Sequence, residues 1–93
     1  MIRHIVYFTV KHNFDQVYNG LKILEDIPCD GFVHIRKNLK IDQINNDIDI
    51  VVYGEFKDEK ALNEYKNHDL YKKSIDCVRP YRDIRLAVDI DMD

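Results

Sequence analysis

The strongest constraint on this chain is a segment near its amino end that is apolar on both sides when extended. In residues 2–10, Ile2, His4, Val6, Phe8 and Val10 fall on one face, and Ile5 and Tyr7 fall on the other. Ile48–Phe56 repeats the pattern through Ile50-Val51-Val52-Tyr53. Strands of this kind need cover above and below the sheet. A chain of 93 residues makes one domain (1–93) that buries roughly 65% of its unfolded surface, a modest core. Covering both faces of such a sheet is more than its helices can do.

The segments between these strands define the rest. Phe14, Val17, Tyr18, Leu21, Leu24 and Ile27 recur at helical spacing and predict a helix of about 14 residues, with Asn13 as its N-cap. Gly20 inside it costs about 1 kcal/mol relative to alanine, so it either permits close packing or is merely tolerated. Pro28 to Gly31 turns the chain into a strand over residues 32–41, which alternates as an edge strand does. Asp42 to Asp47 reads as a loop. Asp58 caps a second helix with Ala61, Leu62 and Tyr65 on its inner stripe. A break near His68-Asp69 separates it from a continuation in which Leu70, Tyr71, Ile75 and Val78 face inward, ended by Arg79-Pro80. Residues 83–90 form the last strand, with Ile84, Leu86, Val88 and Ile90 alternating with Asp83, Arg85, Ala87 and Asp89.

The order is strand, helix, strand, strand, broken helix, strand. It predicts an α+β, ferredoxin-like βαββαβ fold, a four-stranded antiparallel sheet with its two helices on one face. Ile5, Tyr7, Val51 and Tyr53 are then left on the bare face. Leaving them in water forfeits roughly 1.5–3 kcal/mol each. A homodimer joined through the two sheet faces, a dimeric α+β barrel, answers this most simply.

Composition narrows the partners. Fourteen Lys and Arg against 17 Asp and Glu give a net charge of −3, which speaks against a nucleic-acid partner. No apolar run reaches the roughly 20 residues of a membrane span, and the amino end lacks a signal-peptide pattern. Cys29 and Cys77 are too few and too far apart for a disulfide framework or a metal knuckle. No histidine pair has metal-ligand spacing, and three scattered glycines build no phosphate loop. The expectation is a cytoplasmic protein without metal or cofactor.

The opening Arg3-His4-Ile5-Val6-Tyr7-Phe8 resembles the first strand of the stress-responsive A/B-barrel (Dabb) family. The likeness continues through Ile27-Pro28, Lys37-Asn38, Asp49-Ile50-Val51 with Glu55-Phe56, and Ala61-Leu62 with Tyr65 and His68. It closes with Val78-Arg79-Pro80 and Arg85-Leu86-Ala87-Val88-Asp89. The resemblance implies a ferredoxin-like chain whose two copies join their sheets into a barrel. Most of the family has no assigned reaction, but a plant relative, olivetolic acid cyclase, closes a polyketide by aldol condensation with His and Tyr side chains. By that resemblance His4, Tyr65 and His68 match site positions. Tyr71 stands where the cyclase has its catalytic histidine, and Ile50 replaces another pocket histidine.

His4 shares the helix-facing side with Val6 and Phe8, where it is either an acid-base group or a core histidine with both nitrogens satisfied. Tyr65 and Tyr71 can polarise a carbonyl or fill the core with a wet tip. His68 either completes a His/Tyr cluster or interacts with a helix end. Lys72-Lys73 with Arg79, Arg82 and Arg85 reads as a solvated basic face. Three functions compete. One is a small-molecule pocket with His4, Tyr65, His68 and Tyr71 acting on a carbonyl compound. Another is a non-catalytic dimeric module with a closed core. The third, a haem-degrading or quinol-oxidising monooxygenase, is disfavoured in its haem form by the lack of tryptophan.

Overall fold

A computed structural model describes residues 1–93. Its strands are β1 (Ile2–Val10), β2 (Gly31–Lys37), β3 (Ile50–Phe56) and β4 (Arg82–Asp91). Its helices are α1 (Phe14–Lys22), α2 (Glu59–Lys66) and α3 (Asp69–Val78). The strands form one antiparallel sheet in the order β2-β3-β1-β4, the ferredoxin-like arrangement that the element order predicts. β3 opens at Ile50 instead of Ile48, and three further local features depart from expectation.

The first helix is α-helical only to Lys22 and finishes as a 3-10 turn over Ile23–Asp26. Asn13 is not a side-chain cap. Its backbone is left-handed (φ 57°, ψ 53°), a conformation asparagine tolerates, and only its carbonyl enters the helix, accepting from Val17 N at 3.1 Å. β2 stops at Lys37 instead of running to residue 41. There Asn38 Oδ1 accepts from Lys40 N at 3.0 Å while Asn38 Nδ2 donates to the Ile48 carbonyl at 2.6 Å. That side-chain turn ends the strand and leaves Leu39 and Ile41 exposed in the loop.

Asp58 caps α2 as expected, its Oδ1 accepting from Ala61 N at 2.9 Å. Gly20 is there for close approach. A Cβ on it would lie 2.9 Å from Cys77 Cβ and 3.0 Å from Val78 Cγ2, where α1 crosses α3. Ser74, buried at the same crossing, donates its hydroxyl to the Gly20 carbonyl at 2.8 Å.

Gly31 carries the harder constraint. Its φ is 153°, and a Cβ would sit 1.9 Å from the Glu55 carbonyl oxygen of the paired strand. Alanine there adds backbone strain to overpacking against main chain, which cannot move aside cheaply. Gly31→Ala is expected to cost about 2–4 kcal/mol, read as a lower urea midpoint at unchanged slope.

The sheet has two unlike faces. Val6, Phe8, Val33, Ile35, Ile50, Val52 and Phe56 are buried with Val17, Leu21 and Leu24 from the first helix and its 3-10 turn, Ala61, Leu62 and Tyr65 from α2, and Val78 from α3. The registers place Ile5 between Tyr53 and Val88, and Tyr7 between Val51 and Leu86, on the other face. β4 puts all its large apolar residues on this bare face, so Ile84, Leu86, Val88 and Ile90 are 41–56% exposed. Its helix-facing side carries Arg85, Ala87 and Asp89, opposite Phe8, Val6 and His4.

Candidate functional site

Between the sheet and the helices lies a cavity of about 210 Å³. β1 supplies His4, Val6 and Phe8, and β3 supplies Val52. The first helix and its 3-10 turn give Leu21 and Leu24, and α2 gives Tyr65. α3 contributes Tyr71, Ser74 and Ile75, and Arg79, Arg82 and Arg85 line the side toward β4. The charge-free part of the lining is mostly apolar, with the polar groups concentrated at His4, the two tyrosines and Ser74.

His4 is 1% exposed. Its register partner on β4 is Asp89, and Nδ1 meets Asp89 Oδ1 at 2.6 Å. A carboxylate can only accept here, so the proton sits on Nδ1 and the Nε2 lone pair is left free, with no hydrogen-bond partner in the chain. Burial lowers the His4 pKa below its ordinary 6.5, and the charges of Lys66 and Arg85 push the same way against the raising effect of Asp89. Neutral imidazole is therefore the resting form.

The sign of the pH dependence follows. Between the lowered folded pKa and 6.5 the unfolded chain holds more of the His4 proton, so stability present above pH 6.5 is lost as pH falls through that window. Urea unfolding at about pH 7.5 and pH 5 is expected to show that loss, and His4→Gln is expected to remove the His4 share of it. A stability curve with the same slope in both proteins contradicts the assignment.

Tyr65 is also 1% exposed, and its hydroxyl has no hydrogen-bond partner. Burial, reinforced by Tyr71 and Cys29, pushes its pKa well above the usual phenol range, so the hydroxyl stays protonated and is a free donor. Its ring meets His4 edge-on at 6.2 Å and Tyr71 at 5.3 Å between centroids. A buried donor left unpaired costs about 1–3 kcal/mol, so the Tyr65 hydroxyl favours an acceptor placed within its reach.

His4, Tyr65 and Tyr71 are thus brought together, whereas His68 does not line the cavity. It caps α3 instead, Nδ1 accepting from Leu70 N at 3.1 Å. Sequence reasoning missed Asp89 and the three arginines. Asp89 was legible as the i+4 neighbour of Arg85 on the polar face of β4, but only the β1–β4 register shows that this face meets His4. No three His, Cys, Asp or Glu side chains cluster to hold a metal ion.

The stress responsive A/B barrel domain profile matches residues 2–92. The chain belongs to the Dabb family. No curated protein matches it. Among solved structures, a Dabb family protein of ferredoxin-like fold from Mesorhizobium loti is 25% identical, with 97% of this chain and 94% of that one covered at TM-score 0.78. A dimeric ferredoxin-like protein of unknown function from Jannaschia sp. CCS1 is 17% identical, covers 98% of each chain and reaches TM-score 0.83. A putative antibiotic biosynthesis monooxygenase from Nitrosomonas europaea is 18% identical, with 98% and 97% covered at TM-score 0.78. These likenesses establish the Dabb fold, and no helix of the chain is long and apolar enough to cross a membrane.

Proposed function

We propose that this Dabb protein acts as a homodimer in which each copy holds a small carbonyl compound between sheet and helices and moves a proton on it. The observation that carries the reading is the open cavity reaching His4 while the Tyr65 hydroxyl beside it stands unpartnered. A cavity of about 150 Å³ accepts benzene, so one of about 210 Å³ suits a ring-sized or short-chain molecule.

The chemistry runs through three groups. His4 Nε2 takes a proton from carbon next to the carbonyl, the C–H electron pair forms the new carbon–carbon double bond, and the C=O π pair moves onto oxygen as an enolate. Tyr65 donates its hydroxyl to that oxygen, where charge develops. Asp89 acts as a positioning residue, fixing the His4 tautomer and stabilising the imidazolium. Tyr71 closes one wall, and His68 serves the site at one remove by capping the helix that carries Tyr71. The alternative, a non-catalytic module with a closed core, is weakened by the cavity itself.

The bare sheet face, with Ile5, Tyr7, Val51 and Tyr53 joined by the four apolar residues of β4, supports dimerisation through the sheets, as do dimeric relatives of the same fold. Residues 1–93 act as one domain, and two unbridged thiols suit a reducing, cytoplasmic setting.

The test is deuterium exchange. A panel of small ketones, β-diketones and oxo acids in deuterated buffer, followed by proton NMR, is expected to include members whose α-protons exchange faster with the protein than without it. No acceleration anywhere in the panel, together with no chemical-shift change at His4, removes the proposal.

A further inference from the structure

The cavity carries a charge pattern that the proton-transfer reading does not use. Arg79, Arg82 and Arg85 all line it, and no aspartate or glutamate does. None of the three arginines takes part in an ion pair within the chain, although the protein as a whole is net acidic at −3. Asp89, on the same face of β4 as Arg85, is already committed to His4 at 2.6 Å.

Three like charges border this cavity without an ion-pair partner in the chain, Arg79 and Arg85 exposed and Arg82 half-buried. Their arrangement also has a local cause. Arg79 ends α3 just before Pro80, Arg82 opens β4, and Arg85 is the β4 residue opposite Phe8 on the helix-facing side. The short α3–β4 connection therefore brings all three residues to the edge of one cavity, Arg79 and Arg85 from exposed positions and Arg82 from a half-buried one.

A second observation points to a ligand independently. The unpartnered Tyr65 hydroxyl is buried, and Tyr65 belongs to the same lining. Guanidinium forks match the planar geometry of a carboxylate, whereas a lone phenol donor matches a single carbonyl or enolate oxygen.

We infer that the ligand of this pocket is an organic oxo acid, its carboxylate held by Arg82 and Arg85 with Arg79 at the rim and its carbonyl directed to Tyr65. This rests on the proton-transfer reading for the carbonyl half and adds the anionic half. The carboxylate also serves the chemistry, because the same arginines spread positive charge toward the forming enolate.

The test compares benzoylacetate with benzoylacetamide, two probes of nearly equal size that differ in one charge. Binding is read by isothermal titration and by chemical shifts of labelled protein. Benzoylacetate is expected to bind at least 10-fold tighter, and raising sodium chloride from 50 to 500 mM is expected to erode that preference while leaving benzoylacetamide unaffected. The double variant Arg82→Gln/Arg85→Gln is expected to bring the two probes near parity. The salt series on the unaltered protein decides the matter should that variant fold poorly. Equal binding of both probes, with α-proton exchange still dependent on His4, overturns the oxo-acid inference and spares the proton-transfer reading. Binding of neither probe and exchange in neither overturns both.

Discussion

Alanine at His4 is expected to slow α-proton exchange in a bound carbonyl compound by about 10²–10⁴-fold, the range that a positioned general base contributes. The variant removes Nε2, the free imidazole lone pair of the cavity, and leaves the Tyr65 donor in place. Asp89 is not stranded by the change, because its side chain is 41% exposed and takes up water. The loss therefore reports on proton transfer and not on a new buried charge.

Asp89→Asn separates positioning from base strength. An amide turned to donate to Nδ1 moves the imidazole proton onto Nε2 and blocks the base, while the volume at the site hardly changes. Exchange is expected to fall nearly as far as in the alanine variant, with little change in binding of a probe that has no exchangeable proton. Wild-type exchange in His4→Ala, in a protein that still binds the probe, ends the assignment of His4 as base.

The fold was legible because its signals were redundant. Two strands apolar on both faces, a helical stripe from Phe14 to Ile27 and the break at His68-Asp69 all point to one arrangement, and each is local. The errors were also local. Strand alternation continues through Leu39 and Ile41, but the Asn38 turn competes for the backbone there and wins. Asn13 has the composition of a cap but takes the left-handed backbone that lets the chain enter α1 from β1.

The site was half legible for a different reason. His4 and Tyr65 could be placed on inward faces by period alone. The His4–Asp89 pair spans 85 positions of sequence and depends on which strand lies beside β1, which no local pattern carries. The arginines looked like a solvated face because Arg82 and Arg85 alternate with Asp83 and apolar residues, as on any exposed edge strand. Arg79 and Arg85 are indeed exposed, and what no local pattern shows is that they and Arg82 also border the cavity.

Glutamate at Val88 is expected to abolish the proposed sheet-face dimer and leave single chains. Val88 lies midway along β4, the edge strand, on the bare face, opposite Ile5, with Tyr53 one strand further. It is 45% exposed within one chain, so a charge there costs the isolated fold little. In a two-fold dimer the same substitution appears twice, and each carboxylate loses water against apolar side chains of the other copy. At about 3 kcal/mol per unpaired buried charge, the pair weakens association by about 6 kcal/mol, or roughly 10⁴-fold in Kd. Light scattering at about 10 µM is expected to give twice the 11.1 kDa chain mass for the unaltered protein and the single-chain mass for Val88→Glu, with an unchanged circular dichroism spectrum. An unaltered protein that scatters as one chain at that concentration, or a Val88→Glu variant that still pairs, rules out the sheet-face dimer. Either result also changes the setting of the site, since the strands that carry Ile5 and Val88 on the bare face carry His4 and its partner Asp89 on the other.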